Sequence, residues 1–192
     1  MLLLIAGLLI FLGVHSLGVV APEWRGRQVA RMGEGPWKLA YSAVSLVGLF
    51  VVIWGYGVAR GTPVVLWSAP AFARHLTALL TVIAFVLVAA AYVPGTRIKA
   101  ALGHPMTVGI ALWALGHLLA NGRLSALVLF GSFLAWAVIV YVVRRRRDRD
   151  AGRQYQAGGL ARDAIAVVIG VILSVIFALY LHAPLTGVRP FG

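Results

Sequence analysis

Two histidines in apolar surroundings hold most of the chemistry that this sequence can offer. His15 sits in FLGVHSLG and His117 in ALWALGHLLANG, and neither stretch contains another ionisable group. An imidazole in hydrocarbon needs a hydrogen-bond partner, a water or a metal. The five acids, Glu23, Glu34, Asp148, Asp150 and Asp163, all fall in expected loops or at a helix end, so neither ring has a carboxylate at its own depth. Two solutions are open. An iron porphyrin can take one imidazole from each of two helices, and its apolar ring suits an apolar bundle. Alternatively, the rings act only as polar contacts between helices. Gly13 and Gly18 leave room beside His15, while Gly109, Trp113, His117 and Asn121 recur at i+4 steps along one helix face. His104 directly precedes Pro105 and either caps that helix or joins the site. His75 and His182 mark the outer ends of spans and read as interfacial residues.

Other chemistries are excluded by what is missing. The chain has no cysteine, which removes disulfides, thiolate metal sites and cysteine nucleophiles. No pair of carboxylates shares a site, no acid lies at mid-membrane as in ion-coupled transporters, and no glycine-rich loop with lysine awaits a nucleotide phosphate.

The elements that must position these histidines follow from composition. Of 192 residues, 61% are apolar and only 11% charged, with a mean hydropathy of +0.95. A chain of this size cannot hide so much apolar surface in an aqueous core. Six apolar runs, about 2–21, 37–59, 72–93, 105–121, 124–143 and 163–182, each approach the ~20 residues that a helix needs to cross a bilayer. Pro22, Pro36, Pro63, Pro70, Pro94, Pro105 and Pro184 punctuate their ends. The first run has no basic leader and no small-residue cleavage site, so it reads as a span rather than a signal peptide. The expected fold is therefore all-α: one polytopic integral membrane bundle of six transmembrane helices across residues 1–192.

Charge sets the orientation. Arg25, Arg27, Arg31, Lys38, Arg97, Lys99, Arg144 to Arg147, Arg149, Arg153 and Arg162 fall on one side, against Arg60, Arg74, Arg123 and Arg189 on the other. Under the positive-inside rule this predicts N-out/C-out. The net charge of +12 thus reflects loop placement, and no nucleic-acid partner is expected. The run RRRRDRD at 144–150 reads as a stop-transfer cluster that also attracts anionic lipid headgroups. In this arrangement His15 lies roughly 9 Å, and His117 roughly 18 Å, from the inner end of its span at helical rise. A shared iron then requires tilted helices or shifted span ends.

Several stretches resemble the NnrU family of bacterial membrane proteins. They are FLGVHSL at 11–17, PEWR at 22–25, GEGPWKLAYSAVSLVGLFVVIWGYGVAR at 33–60, RIKAALGHPMTVGIALWALGHLLANG at 97–122 and FGSFLAWA at 130–137. The resemblance implies a bacterial inner-membrane, multi-pass protein associated with denitrification, through nitrite and nitric oxide reduction or its regulation. The same stretches are similar to plant 15-cis-zeta-carotene isomerases, which bind haem b and isomerise a polyene. That similarity implies His15 and His117 as axial ligands of the metal, with His104 as a neighbouring or alternative ligand, and a redox-gated cis-trans isomerase if the chain is an enzyme. Trp113 and Asn121 complete the expected cofactor site, and Arg25, Arg97 and Lys99 are placed to pair with propionates. Ala114 stands where the isomerases have a cysteine and Gly103 where they have an arginine, departures that bear on isomerisation more than on haem.

The HPMTVG block also resembles the RHP-x-Y-x-G motif of membrane methyltransferases acting on isoprenylcysteine or phospholipid, but no glutamate follows Glu34 to supply their later acidic pair. The expected partners are the lipid bilayer and, for an enzyme, an apolar polyene or lipid substrate.

Overall fold

The computed structural model describes residues 1–190. Its helices are α1 (Leu2–Val20), α2 (Pro22–Met32), α3 (Glu34–Gly61), α4 (Ala73–Tyr92), α5 (Arg97–Leu102), α6 (Pro105–Ala120), α7 (Leu124–Asp150) and α8 (Leu160–Ile176). A π-helical turn over Phe177–Leu181 then leads into the short α9 (His182–Thr186). No strand occurs among the described residues; one isolated antiparallel bridge joins Val65 to Arg123. The chain divides into two compact units, Met1–Val64 and Val65–Gly192.

In the first unit α1 and α3 pack antiparallel through glycines. A Cβ on Gly55 would come within 2.5 Å of the Leu4 backbone nitrogen, one on Gly7 within 2.6 Å of that of Val52, and one on Gly48 within 2.9 Å of that of Phe11. Buried positions of α3 are Gly48, Val52, Gly55 and Ala59, spaced by four, three and four residues. Small side chains on one helical stripe let two backbones approach closely, which is how helices associate where lipid removes the hydrophobic drive. Leu4, Leu8 and Val52 are buried in this seam, whereas Leu9, Leu39, Leu46 and Phe50 point away from it and are exposed. α2 lies where the sequence suggests a loop. It opens with Pro22 at its first position, ends at Gly33 in the left-handed region (φ 85°), and meets α3 through an edge-on contact of Trp24 with Trp37.

In the second unit α6 runs antiparallel to both α4 and α7, and α8 runs antiparallel to α4. Gly109 of α6 approaches Ala84 and Leu87, and Gly116 approaches Thr77 and Leu80. The Thr77 hydroxyl donates to the Gly116 carbonyl at 2.6 Å, using the room left by the missing side chain. On the other side of α6, Trp113 packs edge-on against Phe130 and Phe133 of α7. The buried stripe of α8 is Ala166, Gly170 and Ser174, again small residues four apart, and Ala166 closes a cluster with Ala89 and Ala90 of α4.

Among the described residues, five helical stretches are long and apolar enough to cross a membrane: Leu2–Val20, Glu34–Gly61, Ala73–Tyr92, Leu124–Asp150 and Leu160–Thr186. The sixth expected span, α6, has 16 residues and so about 24 Å of rise, against ~30 Å of hydrocarbon. Its ends are cut locally. Gly103 takes φ 72° and Pro105 starts a new helix, so α5 is split off at one end. Asn121 turns extended at the other, and Gly122 accepts hydrogen bonds from the Leu66 and Trp67 amides. By contrast, α7 runs past the expected end at 143 to Asp150 because nothing before Gly152 (φ 59°) breaks a helix and arginine is a good helix former.

Candidate functional site

His15, in the first unit, has its Nδ1 2.7 Å from the Phe11 carbonyl one turn earlier. A carbonyl only accepts, so Nδ1 carries the hydrogen and the neutral ring keeps its lone pair on Nε2. Ser16 likewise turns its hydroxyl back onto Leu12 at 2.6 Å. The ring is half-buried between Phe11, with centroids 4.2 Å apart, and the edge of Tyr41 at 5.4 Å.

His117, in the second unit, repeats this geometry. Its Nδ1 donates to the Trp113 carbonyl at 2.8 Å, which again leaves the lone pair on Nε2. Phe130 stacks on the ring with centroids 4.7 Å apart, and Trp113 lies at 5.2 Å. The shared face expected for Gly109, Trp113, His117 and Asn121 fans out, since each i+4 step advances about 40° round a helix. Gly109 meets α4, Trp113 and His117 turn towards α7, and Asn121 forms the C-cap. The neighbour that the sequence did not suggest is His182. Its ring lies 6.5 Å from that of His117 with the planes 22° apart, and its Nδ1 is 2.8 Å from the Val188 carbonyl.

His104 has a different setting at the opposite end of α6, thirteen residues and so about 20 Å from His117 along the axis. Its Nε2 lies 2.8 Å from a carboxylate oxygen of Asp148, and the Tyr155 hydroxyl donates to that same oxygen at 2.8 Å. Arg153 approaches the other oxygen at 3.7 Å. Asp148 is only 5% exposed, and this set of donors accounts for a carboxylate held out of water. Burial holds the His104 pKa below its usual value; Asp148 opposes that shift, while Arg144 and Arg145 reinforce it. His104 is therefore neutral at pH 7, with the proton on Nε2 and the lone pair on Nδ1, the reverse of the other three rings. Burial, then the hydrogen bond to Asp148, push the Tyr155 hydroxyl up.

The same end of this unit gathers its polar links. Thr96 caps α5 by accepting from the Lys99 amide at 3.1 Å, Asp163 of α8 accepts from the Ile98 amide at 3.2 Å, and Arg162 donates to the Pro94 carbonyl at 3.2 Å. Lys99 donates to the Ala91 carbonyl at 2.9 Å. His75 is exposed in the first turn of α4. No group of three or more His, Cys, Asp or Glu side chains suited to a metal ion occurs among the described residues.

A histidine-bearing α1, a backbone-tied His117 after Trp113 and the Gly103–His104–Pro105 break all lie within one family model, NnrU protein, which matches residues 3–190. The chain belongs to the NnrU family. The match spans nearly the whole chain, including the basic stretch and last helix that carry less of the motif resemblance. No curated protein and no solved structure matches.

Asp148, Tyr155 and His182 are the residues of this region that sequence reasoning missed. An acid set among five arginines was the one available signal for Asp148, since charge placement alone gives no reason for it. His182 has no such signal, because its position depends on the π-helical turn.

Proposed function

We propose that this NnrU-family protein is a haem-binding, multi-pass protein of the bacterial inner membrane, with His15 and His117 supplying imidazole nitrogens to the iron. The observation that carries this reading is the matched tautomer. Two histidines on apolar helices each tie Nδ1 to the carbonyl four residues back, at 2.7 and 2.8 Å, which puts the lone pair of the neutral ring on Nε2. That is the orientation a metal-ligating histidine adopts when its second nitrogen is fixed by a backbone oxygen. Haem b supplies redox chemistry when bound. The chain's own residues hold and orient the two rings, His15 through the Phe11 carbonyl and His117 through the Trp113 carbonyl.

Family membership supports a role in nitrite or nitric oxide reduction or in its regulation. Six crossings with both termini outside are part of the proposal. α6 links the end of α4 to the start of α7 and runs antiparallel to both, and the basic residues of the second unit other than Arg74, Arg123 and Arg189 collect where α5, the α6 start and the α7 end meet. That end faces inward under the positive-inside rule.

Purified protein tests the haem reading. A Soret band that is lost in His15→Ala and in His117→Ala is expected. A colourless wild type, prepared with haem available, ends it. For protein that carries haem, supplying a 15-cis polyene under reducing and oxidising conditions then tests for isomerisation.

A further inference from the structure

The joint where α5, α6 and α7 meet carries two cations that the fold does not neutralise. Arg144 and Arg145 are half-buried, whereas Arg146, Arg147 and Arg149 beside them are exposed. The nearby carboxylates are committed: Asp148 to His104, Tyr155 and Arg153, and Asp163 to the Ile98 amide. Among the described residues the guanidinium groups of Arg144 and Arg145 make no hydrogen bond and no ion pair. We propose that this joint is a binding site for the phosphate of an anionic phospholipid headgroup, held by Arg145 and Arg144.

Three observations support the site. The first is the placing of Arg145. A Cβ on Gly103 would come within 2.7 Å of the Arg145 Nη1, 3.2 Å of its Cδ and 3.3 Å of the Tyr155 Cε2. The Arg145 side chain is thus folded over the Gly103 turn, in space that a larger residue would fill, instead of reaching into water. A guanidinium held in place beforehand loses less freedom when its fork bonds a phosphate. The second is direction. Successive helical positions turn by about 100°, so Arg144 and Arg145 flank the direction of Asp148 at about 40° and 60°, while Arg146 lies about 160° away. Asp148 faces His104, and the charges of both Arg144 and Arg145 help to hold the His104 pKa down. The third is the surface below them. Val138 and Val142 are exposed on α7 at about 20° and 60° from the direction of Arg145, one to two turns before it. An acyl chain can lie along this aliphatic track beneath its own headgroup, whereas a free phosphate ion has no use for it.

Charge alone implies a diffuse attraction shared by all five arginines of 144–149. The geometry assigns the headgroup to two of them. The site rests on the proposed orientation only for its leaflet, the inner one, and uses neither haem nor His15 nor His117.

Native mass spectrometry of the full-length, delipidated protein in detergent tests the site. Dioleoylphosphatidylglycerol and dioleoylphosphatidylcholine are titrated onto wild type, Arg144→Gln, Arg145→Gln, Arg145→Lys and Arg146→Gln. Wild type should retain one phosphatidylglycerol per chain, at least tenfold more tightly than phosphatidylcholine. That affinity should fall about tenfold in Arg144→Gln and in Arg145→Gln, as loss of a charge-assisted hydrogen bond requires, and stay within about twofold in Arg146→Gln. Arg145→Lys keeps the charge but loses the fork, so a fall of about threefold is expected there even if Arg145→Gln does not fold. Excess inorganic phosphate should leave phosphatidylglycerol bound. Wild-type affinity in Arg145→Gln or Arg145→Lys, an equal loss in Arg146→Gln, or equal binding of the two lipids overturns the site. Displacement by inorganic phosphate identifies a free-ion site and overturns the lipid. Thiol labelling that puts Gln156→Cys outside would overturn the orientation, while the Arg145 dependence of lipid binding would still stand.

Discussion

The His104 ring nitrogen and the Asp148 carboxylate meet at 2.8 Å across 44 residues of sequence, joining the first residue before α6 to the last turn of α7. Asp148 has the Tyr155 hydroxyl on the same oxygen at 2.8 Å. Removing the charge while keeping the shape leaves these donors without a full set of acceptors, and an unsatisfied buried polar group costs about 1–3 kcal/mol. Asp148→Asn is expected to lower stability by that order, and Tyr155→Phe by about 1 kcal/mol. Both should expose residues 151–159 to protease. Thermal unfolding in detergent and limited proteolysis check the pair of effects.

The same pair predicts a pH dependence. His104 has its pKa depressed in the fold, chiefly by burial and despite Asp148. A depressed histidine pKa means that the folded state binds its proton less readily than the unfolded chain. Its contribution to stability is then full above the unfolded value of 6.5 and is lost as pH falls through the lower folded value. Melting temperature should therefore be level at pH 7–8 and decline below about 6.5. His104→Gln should remove this step from the curve even if it lowers the plateau. A decline of the same size in that variant would assign the effect to another group.

Much of the architecture was legible from residue types. Apolar runs located the long helices, and proline and glycine located most breaks. Two features were hidden for local reasons. Arg144 to Arg147 mark a membrane boundary by charge, yet arginine also sustains a helix, so the boundary and the helix end do not coincide. Pro22–Met32 lacks a long apolar run, and its helix is set by a starting proline and a closing glycine. For the site, burial arithmetic could single out His15 and His117 because both lie inside apolar runs. The companions of His104 and His117 come from 44 and 65 residues further along the chain. A single sequence carries no term that pairs such positions.

The glycine seam of the first unit gives a sharp packing test. A methyl group on Gly55 would meet the Leu4 backbone at 2.5 Å, and backbone cannot swing aside as a flexible side chain does. Gly55→Ala is expected to destabilise by about 1–3 kcal/mol, the usual cost of overpacking. Gly57, whose added Cβ would meet nothing within 4 Å, is the matched control: Gly57→Ala should be neutral or slightly stabilising. Unfolding midpoints of the two variants in one detergent provide the comparison.

Absence of cysteine makes the topology directly testable. Single cysteines at Gln28, Ser68, Gln156 and Val188 report the sides of successive connections. With six crossings, an impermeant thiol reagent added outside intact cells should label Ser68→Cys and Val188→Cys and spare Gln28→Cys and Gln156→Cys. Were α6 not to cross, Gln156→Cys would be labelled and Val188→Cys protected.

The seven residues by which α7 outruns its apolar stretch have a mechanical meaning. Successive helical positions turn by about 100°, so Arg144 to Arg147 point in four directions and ring the helix. A ring of guanidinium groups acts as a flange: it resists sinking into hydrocarbon from any side and fixes the depth at which the rod comes to rest. Asp148 sits just beyond that flange and grips His104. The short α6 is thereby suspended from a neighbour whose depth is already fixed, and the height of His117 is measured from that anchor.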